Sequence, residues 1–259
     1  LAARLEVGEA RERLLREART AAALSHPHVV AVHDVGVHEG MPYFVMELVE
    51  GPSLKDRKPA SLEEAVEVAV QICDALAHAH DHGLVHRDLK PGNVLRSSNS
   101  GRLAIKLVDL GLAVRGRGVR ISPQGGITGT VNYMAPEQAL GLEVDARTDL
   151  YALGVMLYEF TTGRLPFEGE NALAVLSQHL HAPVVPPRTY RADLPEHLEA
   201  AILRLLAKDP DERFASAAEV AAVLTRGPGA AAALAPAGVS ALGGLVRGRL
   251  VGRDREIAS

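Results

Sequence analysis

The chain has 259 residues, 28 of them Lys or Arg and 32 Asp or Glu, for a formal net charge of −4. That length suits one large domain or a domain and a half, with enough chain to bury a sizeable core. The near-neutral balance argues against nucleic acid as the main partner, and 47% apolar residues exclude disorder over most of the length.

Residues 5–24 carry Val7, Leu14, Leu15, Ala18, Ala21 and Ala22 at helical spacing, which predicts an amphipathic helix. His26-Pro27 should end it, because a residue before proline is pushed out of the helical region. Two β-rich runs follow, Val29–Val35 and Tyr43–Leu48, and the Gly36 and Gly40 between them predict a hairpin. Ser61-x-x-Glu64 is a capping box for a helix running to about His82. A polar loop over 83–93 leads to short strands at Val94–Leu95 and Ala104–Val108. Residues 111–131, rich in Gly, Arg and Ser/Thr, read as a long loop of functional type. Helices are then expected at about 146–162, 170–181, 195–207 and 216–226, the last opened by Ser216-x-x-Glu219. Residues 227–246 lack charge and would be long enough to cross a membrane, but they are mostly Ala and Gly with Pro228 and Pro236. They read as a linker rather than a span.

Cys73 is the single cysteine. It excludes a disulfide framework and a cysteine zinc site, suits a reducing compartment and so a cytoplasmic placement, and should be buried and inert. His78, His80, His82 and His86 have the look of a metal cluster, but a polar helix end leading into a loop is the simpler reading. Arg115, Arg117 and Arg120 are likewise read as a solvated loop rather than an anion grip.

The informative stretch is His86-Arg87-Asp88-Leu89-Lys90-Pro91-Gly92-Asn93, followed by Asp109-Leu110-Gly111 and then Ala135-Pro136-Glu137. In these motifs, in this order, the chain resembles the bacterial eukaryotic-like (Hanks-type) Ser/Thr protein kinases, over residues up to about Arg226. The resemblance implies an α+β fold of protein-kinase type: a mostly helical lobe with an incomplete small β lobe. It implies ATP and Mg²⁺ as cofactors and protein Ser/Thr side chains as acceptors. Phosphoryl transfer asks a protein mainly for positioning and charge neutralisation. Within the resemblance, Asp88 would orient the acceptor hydroxyl and take its proton. Asn93 and Asp109 would offer hard oxygen ligands to the metal. Lys90 would reach the transferring phosphate as a point charge. Met46 would be the gatekeeper, Glu47 to Val49 the hinge that meets adenine, and Leu95 the floor beneath the ring. Glu17 matches the helix glutamate that pairs with a strand lysine. Arg87 would meet a phosphorylated activation segment, with Thr128 and Ser122 as acceptor candidates, and Thr130 would brace the catalytic loop. Asp149 would hold the backbone of the catalytic loop, and Glu137 with Arg213 would form a buried ion pair.

Two departures stand out. Leu110 replaces the usual Phe of the Asp-Phe-Gly motif and keeps an apolar plug. More seriously, no lysine precedes Lys55 and no G-x-G-x-x-G precedes the first predicted helix. With Leu1 in place of Met, this suggests an N-terminally truncated kinase, inactive as it stands, whose residues 1–48 are loosely held because two strands alone are marginal. The alternatives are a pseudokinase acting as a scaffold and a small-molecule phosphotransferase. Against the latter stand Ala135-Pro136-Glu137 and the long loop before it, which build a peptide-docking surface. The domain expectation is therefore a kinase domain over 1–226, a linker over 227–247 and the possible start of an AAA-type ATPase module over 248–259.

Overall fold

A computed structural model describes residues 24–38, 41–97, 103–110, 120–121, 127–128 and 131–226. The predicted helix over 5–24, the linker and the ATPase-like tail, together with Glu17, Ser122 and Thr130, lie outside the described residues. So does Gly111.

The first two strands, β1 (Val32–His38) and β2 (Met41–Met46), pair antiparallel from Val32↔Met46 to His38↔Met41. A Cβ on Gly36 would fall 2.4 Å from the Tyr43 ring, so this cross-strand position admits only glycine with the ring where it is. Both strands lie later or earlier than sequence pattern predicted, for one reason. Val29 and Val30 are recruited elsewhere: Val30 N–H donates to Leu107 O (2.9 Å), and Leu107 N–H to His28 O (2.9 Å). Both valines are buried. Of the first 48 residues, expected to be loosely held, the described ones before the hairpin bury Leu24, Val29 and Val30, and residues 1–23 lie outside the described residues. In the hairpin Val37, Tyr43 and Val45 stay exposed, while the chain just before it is pinned to the main core.

The helix α1 (Leu62–Asp81) starts where the capping box predicts, with the Glu64 N–H donating to Ser61 Oγ. The reciprocal bond comes from Ala60 N–H to Glu64 Oε2 at 2.7 Å, one residue earlier than the standard box. A one-turn 3₁₀ helix at Pro91–Asn93 leads into β3 (Val94–Ser97), which pairs antiparallel with β4 (Ala104–Leu107). Inside the stretch predicted to be only loop, β5 (Arg120–Ile121) pairs with β6 (Ile127–Thr128). Two-residue strands leave too little pattern for the sequence to announce them.

Next come α2 (Pro136–Ala139), a single turn not anticipated, and then α3 (Ala146–Thr162), α4 (Ala172–His181), α5 (Glu196–Leu205) and α6 (Ala217–Arg226). Helix α3 is buried on nearly every side, from Thr148 to Glu159, which is how an axial helix of a larger core looks. Gly154 makes the α3–α5 crossing possible, since a Cβ there would stand 2.7 Å from Leu205 Cβ. Gly163 stops α3 in the left-handed region at φ 74° and donates to Glu159 O. One continuous core joins α1, α3, α5, α6 and the β3–β4 pair, with Ile72, Leu76, Val94, Ile105, Leu107, Leu150, Met156 and Leu205 among its buried members. The result is a helical lobe with a small β appendage, and Cys73 sits inside it with its thiol pKa pushed up by burial.

Candidate active site

The loop 83–93 is held from below by one carboxylate. Asp149, in the first turn of α3 and 1% exposed, accepts from His86 N–H through Oδ2 and from Arg87 N–H through Oδ1, both at 2.8 Å. His80 Nε2 lies 2.8 Å from the same Oδ2. Above it, Gln138 of α2 donates Nε2–H to Arg87 O (2.8 Å), while Ala135 N–H donates to Gln138 Oε1. These bonds hold Arg87 at φ 66°, a left-handed conformation that costs about 1–3 kcal/mol for a side-chain-bearing residue and persists where surroundings over-determine it. Asp109, at φ 59°, is the other non-glycine in that region among the described residues. Backbone strain falls on two candidate site residues and on no others described.

Asp88 follows directly. Its Oδ2 accepts from Lys90 Nζ (2.7 Å) and from Asn93 Nδ2 (3.2 Å), and Asn93 Nδ2 also donates to Asp88 O at 2.8 Å. Because the amide nitrogen of Asn93 is spent on Asp88, its carbonyl oxygen is the end left for a hard cation. Val108 N–H donates to Asn93 O at 3.0 Å, which sets Asp109 beside the same loop. Asp88, Lys90 and Asn93 therefore meet directly, and Asp109 joins them through its neighbour's backbone. Two side-chain oxygens beside a carboxylate that is 45% exposed form a donor set suited to Mg²⁺, which keeps several waters and takes few protein ligands.

Met46 ends β2 and lines a narrow apolar cleft with Val30, Val32, Leu107, Asp109 and Leu110, so the gatekeeper candidate faces the same interior as Asp109. Beyond it, Glu47 N–H donates to Ala31 O (2.8 Å), and Glu47 Oε2 receives Lys106 Nζ at 2.7 Å. That side-chain hydrogen bond, chiefly, holds the Glu47 carboxyl below its ordinary pKa. Leu48 is 85% exposed and Val49 half-buried, so the hinge candidate leaves the sheet immediately after Glu47. Leu95 is half-buried on β3, opposite Lys106. Thr128 lies on β6, opposite Arg120 of β5. Gly51 packs so closely on the Arg96 carbonyl that a Cβ there would be 1.9 Å from the oxygen.

Glu137 and Arg213 form the expected pair, at 2.8 and 2.9 Å in a two-pronged contact. Burial raises the Glu137 carboxyl pKa, but the Arg213 hydrogen bond and charge outweigh it and leave the pKa lowered. Sequence reasoning missed Gln138, Lys106, and the two contacts of Glu159, with Tyr133 (Oη to Oε2, 2.6 Å) and Lys58 (Nζ to Oε1, 2.7 Å). Gln138 had a signal, since it stands where a capping residue would at N3 of α2. The other two had none, because their partners are 26 to 101 residues away in the chain. Of the histidines, His80 serves Asp149, while the His78 and His82 rings lie tilted at 46° with centroids 4.6 Å apart, and His82 Nδ1 meets His78 O.

Comparison with known proteins places the chain in a family. The protein kinase domain family matches residues 2–223. The serine/threonine-protein kinase PknB of Mycolicibacterium smegmatis is 43% identical over 224 residues, covering 83% of this chain and 35% of that protein. PrkC of Bacillus subtilis is 38% identical over 214 residues, covering 81% and 33%. The crystal structure of the Mycobacterium tuberculosis PknI kinase domain superposes with a TM-score of 0.63 at 32% identity, over 83% of this chain and 78% of that one. The chain spans about a third of the length of these full-length relatives. The chain belongs to the protein kinase family and is similar throughout its described core to bacterial serine/threonine kinases.

Proposed function

We propose that the protein of which these residues form the catalytic lobe is a serine/threonine protein kinase that passes the γ-phosphoryl group of ATP to protein hydroxyls in signalling. The observation that carries the reading is the hydrogen-bonded set of Asp88, Lys90 and Asn93 on a strained loop fastened to Asp149. Asp88 Oδ2 is occupied by Lys90 and Asn93, so Oδ1 is the oxygen that takes the proton from the acceptor hydroxyl as it attacks. Lys90 offers its ammonium to the equatorial phosphoryl oxygens, and Asn93 with Asp109 would hold Mg²⁺. Bound Mg²⁺ neutralises phosphate charge during transfer. The hinge backbone at Glu47 to Val49 meets adenine, Met46 bounds the depth of the adenine slot, and Leu95 floors it. Thr128 and Ser122 are the acceptors on the activation segment, with Arg87 as their cationic partner and Thr130 as a brace.

Glu17 supplies the carboxylate for a strand lysine, yet no lysine precedes residue 55 and no glycine-rich turn precedes residue 24. Without that lysine and turn, the 259-residue polypeptide by itself transfers phosphate slowly, since one missing preorganised contact costs about 10²–10³-fold. That same gap is what favours the second reading, a pseudokinase scaffold. A cytoplasmic placement goes with the single cysteine, and an ATPase module beginning near residue 248 goes with Gly252-Arg253-Asp254-Arg255-Glu256. The deciding assay measures transfer of labelled phosphate from Mg·ATP to a Ser/Thr protein substrate by the parent protein. Transfer is expected in the unsubstituted protein and lost in Asp88→Asn with the fold intact. An inactive parent protein establishes the scaffold reading instead, and an active Asp88→Asn variant refutes the role of Asp88.

A further inference from the structure

One surface takes no part in any of this. Leu62, Val66 and Val70 recur every fourth residue on α1 and form an open, half-buried stripe. Leu198 of α5 and Thr225 near the end of α6 line the same groove, and the exposed Glu63 and Glu67 give it an acidic edge. Such a groove fits an occupant that is apolar along one stretch and basic at its end.

The chain that follows α6 has that composition. It leaves Arg226, one residue past Thr225, and runs without charge to residue 246, with Val239, Leu242, Leu245 and Val246 among Ala and Gly. Arg247 and Arg249 come next. The stripe from Leu62 to Val70 is about 12 Å long at the helical rise. Eight extended residues cover about 26 Å, so the stretch 227–234 suffices to deliver the later residues to any part of it. A segment tethered at the groove's own wall acts at an effective concentration of about millimolar, which favours it over a second copy in bulk. We propose that residues 239–249 dock in this groove, with Leu242, Leu245 and Val246 on the α1 stripe and the two arginines facing the acidic edge. Arg191 already lies near Glu63, which leaves Glu67 as their main partner.

Trypsin reads this directly in the whole 259-residue chain, because the docked segment contains its cleavage sites after Arg247 and Arg249, while Arg255 provides a reference outside it. Cleavage at the first two sites is expected to be about tenfold slower in the unsubstituted chain than in Val66→Glu or Leu245→Glu, relative to Arg255 and at every protein concentration. Equal rates overturn the proposal. So does protection that grows with protein concentration, which would mean that a second copy is the occupant. Leu245→Glu lies outside the described fold and carries the test if Val66→Glu fails to fold. No catalytic group is involved, so failure here leaves the kinase reading standing.

Discussion

Replacing Glu137 by Gln should be among the most damaging single changes to this fold. Arg213 has a fully buried side chain and spends all its donors: two on the Glu137 carboxylate, the rest on Ala207 O, Arg147 O and Lys208 O at 2.9–3.1 Å. Its guanidinium also lies 4.8 Å from the centre of the Tyr151 ring. Three neutral carbonyls orient the cation; among the described residues Glu137 is the carboxylate in direct contact with it, and Asp145 adds a longer-range attraction. Removing one partner of a buried pair costs about 3–5 kcal/mol because the other charge stays behind. Thr148 Oγ1, which donates to Glu137 Oε1, keeps an acceptor in Gln, so the loss is mainly electrostatic. With a urea slope of about 2–3 kcal/mol/M, the midpoint should fall by more than about 1 M. The double variant Glu137→Gln/Arg213→Met should be no worse than the poorer single one, which is the mark of coupling. Acid gives a second check. The folded Glu137 pKa is lowered, so its stabilisation is full above the unfolded value and fades as pH falls through the folded one. The deficit of Glu137→Gln should shrink in that acid window. A midpoint within about 0.3 M of the parent at pH 7, or additive losses in the double variant, would refute the reasoning.

His179 supplies a pH dependence of opposite charge type. Burial first, then the Lys208 ammonium, lower its pKa to about 4, while its Nδ1 meets Tyr151 Oη at 2.9 Å. Between about pH 6.5 and 4 the unfolded chain binds a proton that the folded one refuses, so stability falls by about 3 kcal/mol as pH drops through that window. His179→Gln should flatten this fall in urea titrations, and an unchanged slope would remove His179 as its source. Asp149→Asn leaves one of two backbone donors, His86 N–H or Arg87 N–H, facing an amide NH₂. Hydrogen exchange at those two amides should accelerate about tenfold or more, with the α3 amides little changed; equal protection would mean that Asp149 does not hold the loop.

Several elements could be read without coordinates because their causes are local. Ser61 and Ser216 mark helix starts through bonds reaching three residues, and the stripe of α1 follows from period alone. The order of Asp88, Asn93, Asp109 and Glu137 likewise sufficed for the family, since each motif is short and self-contained. What only the folded chain decided depends on partners far apart in sequence. Val29 and Val30 have the composition of a hairpin strand, yet they pair with Leu107, because an unfilled edge beside β4 gains more than two extra residues of an exposed hairpin. Lys106 and Glu47, 59 residues apart, meet for the same reason. Arg87 carries its strain only because Asp149 and Gln138, 62 and 51 residues further on, hold both sides of its peptide. Periodicity records which face of an element is buried; it does not record against what.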